Sequence, residues 1–130
     1  MSNNLTEDPI FQKLLFTKEW IETGIIDAEN FIEYKNRYLE EQDSCTEHYR
    51  YAAFIDFMRS KKNLSQETFS AIYNLGKKDP DPAMGRSMRI YLIQRTDCPK
   101  KLIDLAIKDK DTSKIVLKLL EKGRVKTAVE

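Results

Sequence analysis

Apolar side chains recur at spacings of three and four along most of this chain, and polar punctuation cuts them into about seven segments. That period lays one stripe of an α-helix against a core. Ile10, Leu14 and Ile21, widened by Phe11 and Leu15, mark a helix from Pro9 to about Thr23, with Gly24 as its stop. Asp27 caps a second, about Ala28–Gln42, where Phe31, Tyr34 and Tyr38 share a face. Ser44 or Thr46 opens a third, about Glu47–Ser60, with Tyr51, Phe54, Ile55 and Met58 as its stripe. Ser65 caps a fourth, about Gln66–Lys77, which turns Phe69, Ile72 and Tyr73 inward. A fifth starts at Pro82 with Met84, Met88, Tyr91 and Leu92. A sixth starts at Pro99 with Leu102, Leu105 and Ala106. Asp111 caps a seventh, carrying Ile115, Val116, Leu119 and Leu120, which Gly123 ends. No segment alternates apolar and polar between turn signals, so no sheet is predicted.

The punctuation repeats itself. Pro follows Asp or Cys in Glu7–Pro9, Pro80–Pro82 and Asp97–Pro99, the placement that suits the first turn of a helix. Lys77–Asp81 reads KKDPD and Ile107–Asp111 reads IKDKD. Each puts Lys where a helix ends and Asp where the next begins, as the two macrodipoles favour. Two helix pairs with like punctuation predict repeats of about 30 residues, each pair sealing the apolar face of the one before.

Asp97–Leu120, DCPKKLIDLAIKDKDTSKIVLKLL, resembles a leucine-rich-repeat-variant unit: Pro99, Leu102-Ile103, Leu105-Ala106, Asp109, Asp111 and Ile115 fit that pattern. Such units resemble HEAT and armadillo repeats in stacking short helices into a curved solenoid. The resemblance implies a fold type and a binding role and no reaction. It covers the Ser65–Leu92 region poorly and residues 1–58 hardly at all. The predicted architecture is a single all-α domain, a right-handed α-solenoid-like stack of helical hairpins. Residues 1–43 form an N-terminal cap, 44–123 the stacked repeats, and 124–130 a frayed tail.

Composition sharpens this picture without changing it. A chain of 130 residues, 41% apolar and 33% charged, can bury a core and keep a heavily charged surface. No stretch approaches the roughly 20 apolar residues of a membrane span, and no secretory leader is read at the N-terminus, so no membrane association is expected. Two cysteines make no disulfide framework, and a cytoplasmic setting with free thiols is expected. The net charge of +1 hides a gradient: residues 1–58 hold 5 Lys/Arg against 12 Asp/Glu, and residues 59–130 hold 17 against 9. Opposite ends of this kind serve different partners, support the fold, or meet head to tail.

Candidate chemistry is thin. Cys45 and His48, with Asp43 or Glu47, are too few for a structural zinc, and the only other cysteine is Cys98. Cys98 opens a predicted helix, a place that lowers a thiol pKa, but His48 is the only histidine available as a base. No catalytic residue, metal or cofactor is therefore expected, and a Cys45/His48 metal protein or enzyme is the third choice. The basic rows are the stronger signal. Arg86 and Arg89 stand at i, i+3 with Arg95 beyond them, and Lys114, Lys118 and Lys122 form an i, i+4, i+8 row. Tyr49 and Phe57 fall off the main stripe of their helix; they are candidate anchors for a partner, or else the helix is buried on two sides between its neighbours. The expected function is non-catalytic binding of another protein through aromatic anchors and basic rows. The alternative is binding of nucleic acid or another polyanion by the basic C-terminal half.

Overall fold

The computed structural model describes residues 5–42 and 45–125. The described residues form eight α-helices after a 3-10 turn at Leu5–Glu7, and they contain no strand. The helices are α1 (Pro9–Lys13), α2 (Lys18–Glu22), α3 (Ala28–Glu41), α4 (Thr46–Ser60), α5 (Gln66–Lys78), α6 (Pro82–Ile93), α7 (Lys100–Lys108) and α8 (Ser113–Glu121). The chain divides into two compact units, one ending at Ser60 and one beginning at Lys61. The first unit keeps α4 with α3. The reason is aromatic: Tyr34 of α3 donates to Asp56 of α4, and the Tyr38 and Tyr49 rings meet edge to face at 6.0 Å.

In the N-terminal unit the expected helix Pro9–Thr23 is two short helices. Asp8 caps α1, accepting from the Ile10 N–H at 2.8 Å, and Lys35 of α3 reaches back to it at 2.7 Å. Leu15 then takes a left-handed φ of 63°, the Leu15 N–H bonds Gln12 O, and the Phe16 N–H bonds Phe11 O. This is a Schellman closure with leucine in the place glycine usually holds. It costs roughly 1–2 kcal/mol in backbone strain. What it gains is Phe16, which an unbroken helix would turn away from Phe11. The ring now sits 5.5 Å from Phe11 and 5.4 Å from Trp20, and Phe11 in turn meets Phe31. Such ring pairs contribute about 0.5–1.5 kcal/mol each beyond area burial, so the cluster outweighs the strained leucine. Asp27 and Asn30 cap α3 reciprocally, each side chain accepting from the other's N–H at 2.9 Å.

The buried face of α4 differs from the expected stripe. Tyr49, Arg50, Ala53, Phe54 and Phe57 face inward, while Tyr51, Ile55 and Met58 are only partly covered. Tyr49 and Phe57, the two aromatic residues off that stripe, are the larger payload, and they set the rotation of the helix.

In the C-terminal unit α5 packs on α6, α6 on α7 and α7 on α8. Ser65 caps α5 through the Thr68 N–H, and Asp81 caps α6 through the Ala83 and Met84 N–H groups, as expected. Two expected caps are absent. Pro99 itself takes the N-cap position of α7, and Cys98 lies buried behind it. Thr112, not Asp111, precedes α8, and its hydroxyl donates to Ala106 O at 2.6 Å. Gly123 ends α8 with a φ of 70°, and the Arg124 N–H closes on Leu119 O at 2.9 Å. Val125 is buried, and residues 126–130 of the expected tail lie outside the described set.

Gly76 of α5 and Gly85 of α6 set the spacing of that helix pair. A Cβ on Gly85 would stand 2.1 Å from Gly76 O, and one on Gly76 would meet Gly85 O at 3.0 Å and Arg89 Cγ at 3.1 Å. Alanine normally stabilises a helix interior by about 1 kcal/mol over glycine. Here Gly85→Ala is expected to do the reverse and cost about 1–3 kcal/mol, because a backbone carbonyl cannot rotate away as a side chain would. Urea unfolding checks this: the midpoint of Gly85→Ala falls well below wild type, and that of Gly76→Ala falls less.

Candidate binding groove

The position of α7 is set by a buried arginine. Arg89 is 4% exposed on α6. Its guanidinium donates to both oxygens of Asp111 at 3.0 and 2.5 Å, and its Nε donates to Gly85 O at 3.2 Å. It also lies 3.5 Å from Asp109 and 5.8 Å from the centre of the Tyr73 ring. Asp109 receives the Tyr73 hydroxyl and the Lys77 ammonium as well. Burial and the Asp109 carboxylate push the Tyr73 phenol up, so it stays a donor. The Arg89 hydrogen bonds hold Asp111 below its ordinary 3.8. α5, α6 and the turn between α7 and α8 are therefore tied at one point.

A second clamp secures the other end of α7. Arg95 donates to Asp97 at 2.9 and 3.0 Å and to Lys61 O at 2.9 Å, and Asp97 accepts the Leu64 N–H at 3.1 Å. Burial raises the Asp97 pKa, but Arg95 and the Leu64 N–H outweigh it, and the carboxyl ends below its ordinary value.

Between α5 and α7 these clamps leave a groove of about 670 Å³. Phe69, Pro99, Leu102 and Leu105 give it an apolar floor, and Leu105 is 42% exposed there. Lys100, Lys101 and Lys108 line its rim, with Asp104 between them. Lys100 and Lys101 occupy the first turn of α7, where no side chain caps the helix and no acidic residue stands. The helix N-terminus carries roughly half a positive charge of its own, so the lysines stand where like charge repels them. The result is a concentrated positive potential beside exposed apolar surface.

The residues singled out from sequence separate into two groups. Arg86, Lys114 and Lys118 are exposed. Arg89, Tyr49 and Phe57 are buried, and Arg95 is half-buried in its clamp with Asp97, so none of these four presents a free docking group. The Tyr49 hydroxyl donates to Glu41 at 2.6 Å, and the ring packs against His48. Cys45 points to Glu47 at 3.2 Å, while Asp43 and Ser44 lie outside the described residues. Among the described residues no group of three His, Cys, Asp or Glu side chains could hold a metal ion. The Cys98 thiol, expected to be lowered by a helix N-terminus, is instead pushed up to about 12 by burial and by Asp97. No described helix is long and apolar enough to cross a membrane. Comparisons with family models, with characterised proteins and with solved structures find no match to this chain.

Replacing Arg89 by Met leaves Asp109 partly buried with fewer donors and is expected to cost about 3 kcal/mol, the scale of a broken buried pair. Acid should weaken the same clamps. Asp111 and Asp97 bind protons less readily folded than unfolded. Their contribution is complete above the ordinary 3.8 and is lost as pH falls through the lower folded values. Urea midpoints measured between about pH 5 and pH 2 should fall steadily in wild type. The fall is shallower in Asp111→Asn, which has no carboxyl to protonate there.

Proposed function

We propose that the protein is a non-catalytic binding module whose C-terminal unit takes an acidic segment of a partner protein into the α5–α7 groove. The observation that carries this reading is the pairing of exposed apolar floor with a rim on which three lysines outnumber one aspartate. Leu105 and its neighbours offer an anchor site, and the lysines orient carboxylates around it. A groove beside one helix suits an extended or helical peptide with one large apolar side chain flanked by acids. Both cysteines are free thiols, which suits a reducing, cytoplasmic setting.

The α-solenoid-like reading of the C-terminal unit belongs to the same proposal. Its support is the serial packing of α5, α6, α7 and α8, together with the resemblance of Asp97–Leu120 to a HEAT-like repeat. Helical stacks bind along the grooves between successive helices, where equivalent side chains line up.

A displayed library of random peptides tests the proposal. Peptides enriched on the protein should carry two or more acidic residues beside Leu, Phe or Trp. Lys100→Glu/Lys101→Glu should weaken their binding at least about tenfold, the scale of two lost charge contacts. The same double variant should be slightly more stable than wild type, by about 0.3–1 kcal/mol per site, because acid suits a helix N-terminus. Loss of binding with gain of stability distinguishes a binding role from damage to the fold. Enriched peptides indifferent to these substitutions, or tighter binding of a mixed-sequence single-stranded RNA than of any peptide, would defeat the proposal.

A further inference from the structure

Two outward helix faces, one in each unit, combine exposed apolar side chains with a net excess of charge of one sign; Arg37, 3.7 Å from Glu33 on α3, and the exposed Glu121 on α8 are the opposite charges. On α3, Ile32 and Leu39 are 58% and 45% exposed at i, i+7. Glu29, Glu33 and Glu40 stand beside them on the solvent side. On α8, Ile115 and Leu117 flank the exposed row Lys114, Lys118 and Lys122. Neither face is needed to seal its own core, since Phe31 and Tyr34 of α3 and Val116 of α8 point the other way.

The two faces are opposite in net sign and comparable in length. Residues 1–60 carry 6 Lys/Arg against 12 Asp/Glu, and residues 61–130 carry 16 against 9. The lysine row spans about 12 Å and the glutamate row about 16 Å at helical rise. Each face would repel a copy of itself, which removes a symmetric contact of like with like. An acidic face meeting a basic face on another copy is a heterologous contact.

We propose that the protein associates with itself head to tail, the α3 face of one copy seated on the α8 face of the next. The glutamates pair with the lysine row, and beside them Ile32 and Leu39 cover Ile115, which borders that row on one side. Each addition leaves one acidic and one basic face unused, so growth continues with concentration unless a ring closes. The partner for these faces is a second copy of this chain, distinct from the occupant of the α5–α7 groove.

Sedimentation velocity over a concentration series tests it. At about 0.01 M salt, where the screening length is about 30 Å, the weight-average mass should climb above the monomer's 15.3 kDa as concentration rises. At about 1 M salt, where that length is about 3 Å, it should fall back toward the monomer. Lys114→Glu/Lys118→Glu and Glu33→Lys/Glu40→Lys should each abolish association, and an equimolar mixture of the two should restore it. The milder Lys114→Gln/Lys118→Gln, which adds no repulsion, should weaken association several-fold and serves if a reversal fails to fold. Lys100→Glu/Lys101→Glu should associate as wild type does, which separates this contact from the groove. Wild type that stays monomeric throughout, variants that associate unchanged, or a mixture that stays monomeric would each overturn the proposal.

Discussion

The C-terminal unit depends on one guanidinium kept out of water. Burying an arginine costs less when its donors are taken up and its charge is matched. Arg89 meets both conditions through Asp111, Asp109 and the carbonyl of Gly85. The close approach of Gly76 to Gly85 makes this geometry available. Any side chain at Gly76 would press on the stem of Arg89 at 3.1 Å, and one at Gly85 would drive α5 and α6 apart. Two glycines and one arginine thus set where the α7–α8 turn sits, and the turn sets where α7 lies over α5. The groove is a consequence of that chain of contacts, since its floor and rim come from those two helices.

The repeated Lys-Asp-x-Asp shows how far sequence can be read. Both copies lie at the ends of helices, and both end a helix with lysine, as expected. Their aspartates then diverge. Asp81 caps α6, whereas Asp109 and Asp111 leave the next helix uncapped and turn to Arg89 and Tyr73. The local pattern is the same, and the difference lies in a residue more than twenty positions away. Spacing alone cannot report such a partner. Arg89 at i+3 from Arg86 looked like half of a surface row, yet about 60° around the helix separates solvent from core.

The helices themselves were legible because their caps and stripes are local. Asp27, Ser65 and Asp81 start the helices they were expected to start, and α5 differs from expectation by one residue at its end. The failures share a physical origin. Leu15 breaks the first helix against its own propensity because Phe16 belongs in an aromatic cluster assembled from α1, α2 and α3. Tyr49 and Phe57 lie off the main stripe of α4 and are buried, Tyr49 against the Tyr38 ring of α3. The groove's floor was half visible: Leu102 and Leu105 were both assigned inward, and only Leu102 is buried. Which of two leucines on one stripe stays open depends on how far the neighbouring helix extends.

Helix charge offers a sharper signal for where the surface is put to use. Acids or hydroxyls cap α1, α3, α5 and α6, and basic residues close α1, α4, α5, α7 and α8, so the chain generally obeys the macrodipoles. The starts of α7 and α8 are the departures. Neither has a capping side chain or an acid in its first turn, and Lys100, Lys101 and Lys114 stand there instead. Each misplaced lysine forgoes about 0.3–1 kcal/mol that an acid would supply. A surface selected only to stay soluble would have no reason to accept that loss at two successive helices. The same lysines border Leu105 in the groove and Ile115 on the outer face of α8, two of the apolar side chains the unit leaves in water. Charge placed where it costs the helix stability, beside apolar surface left in water, is what the proposed binding role would account for.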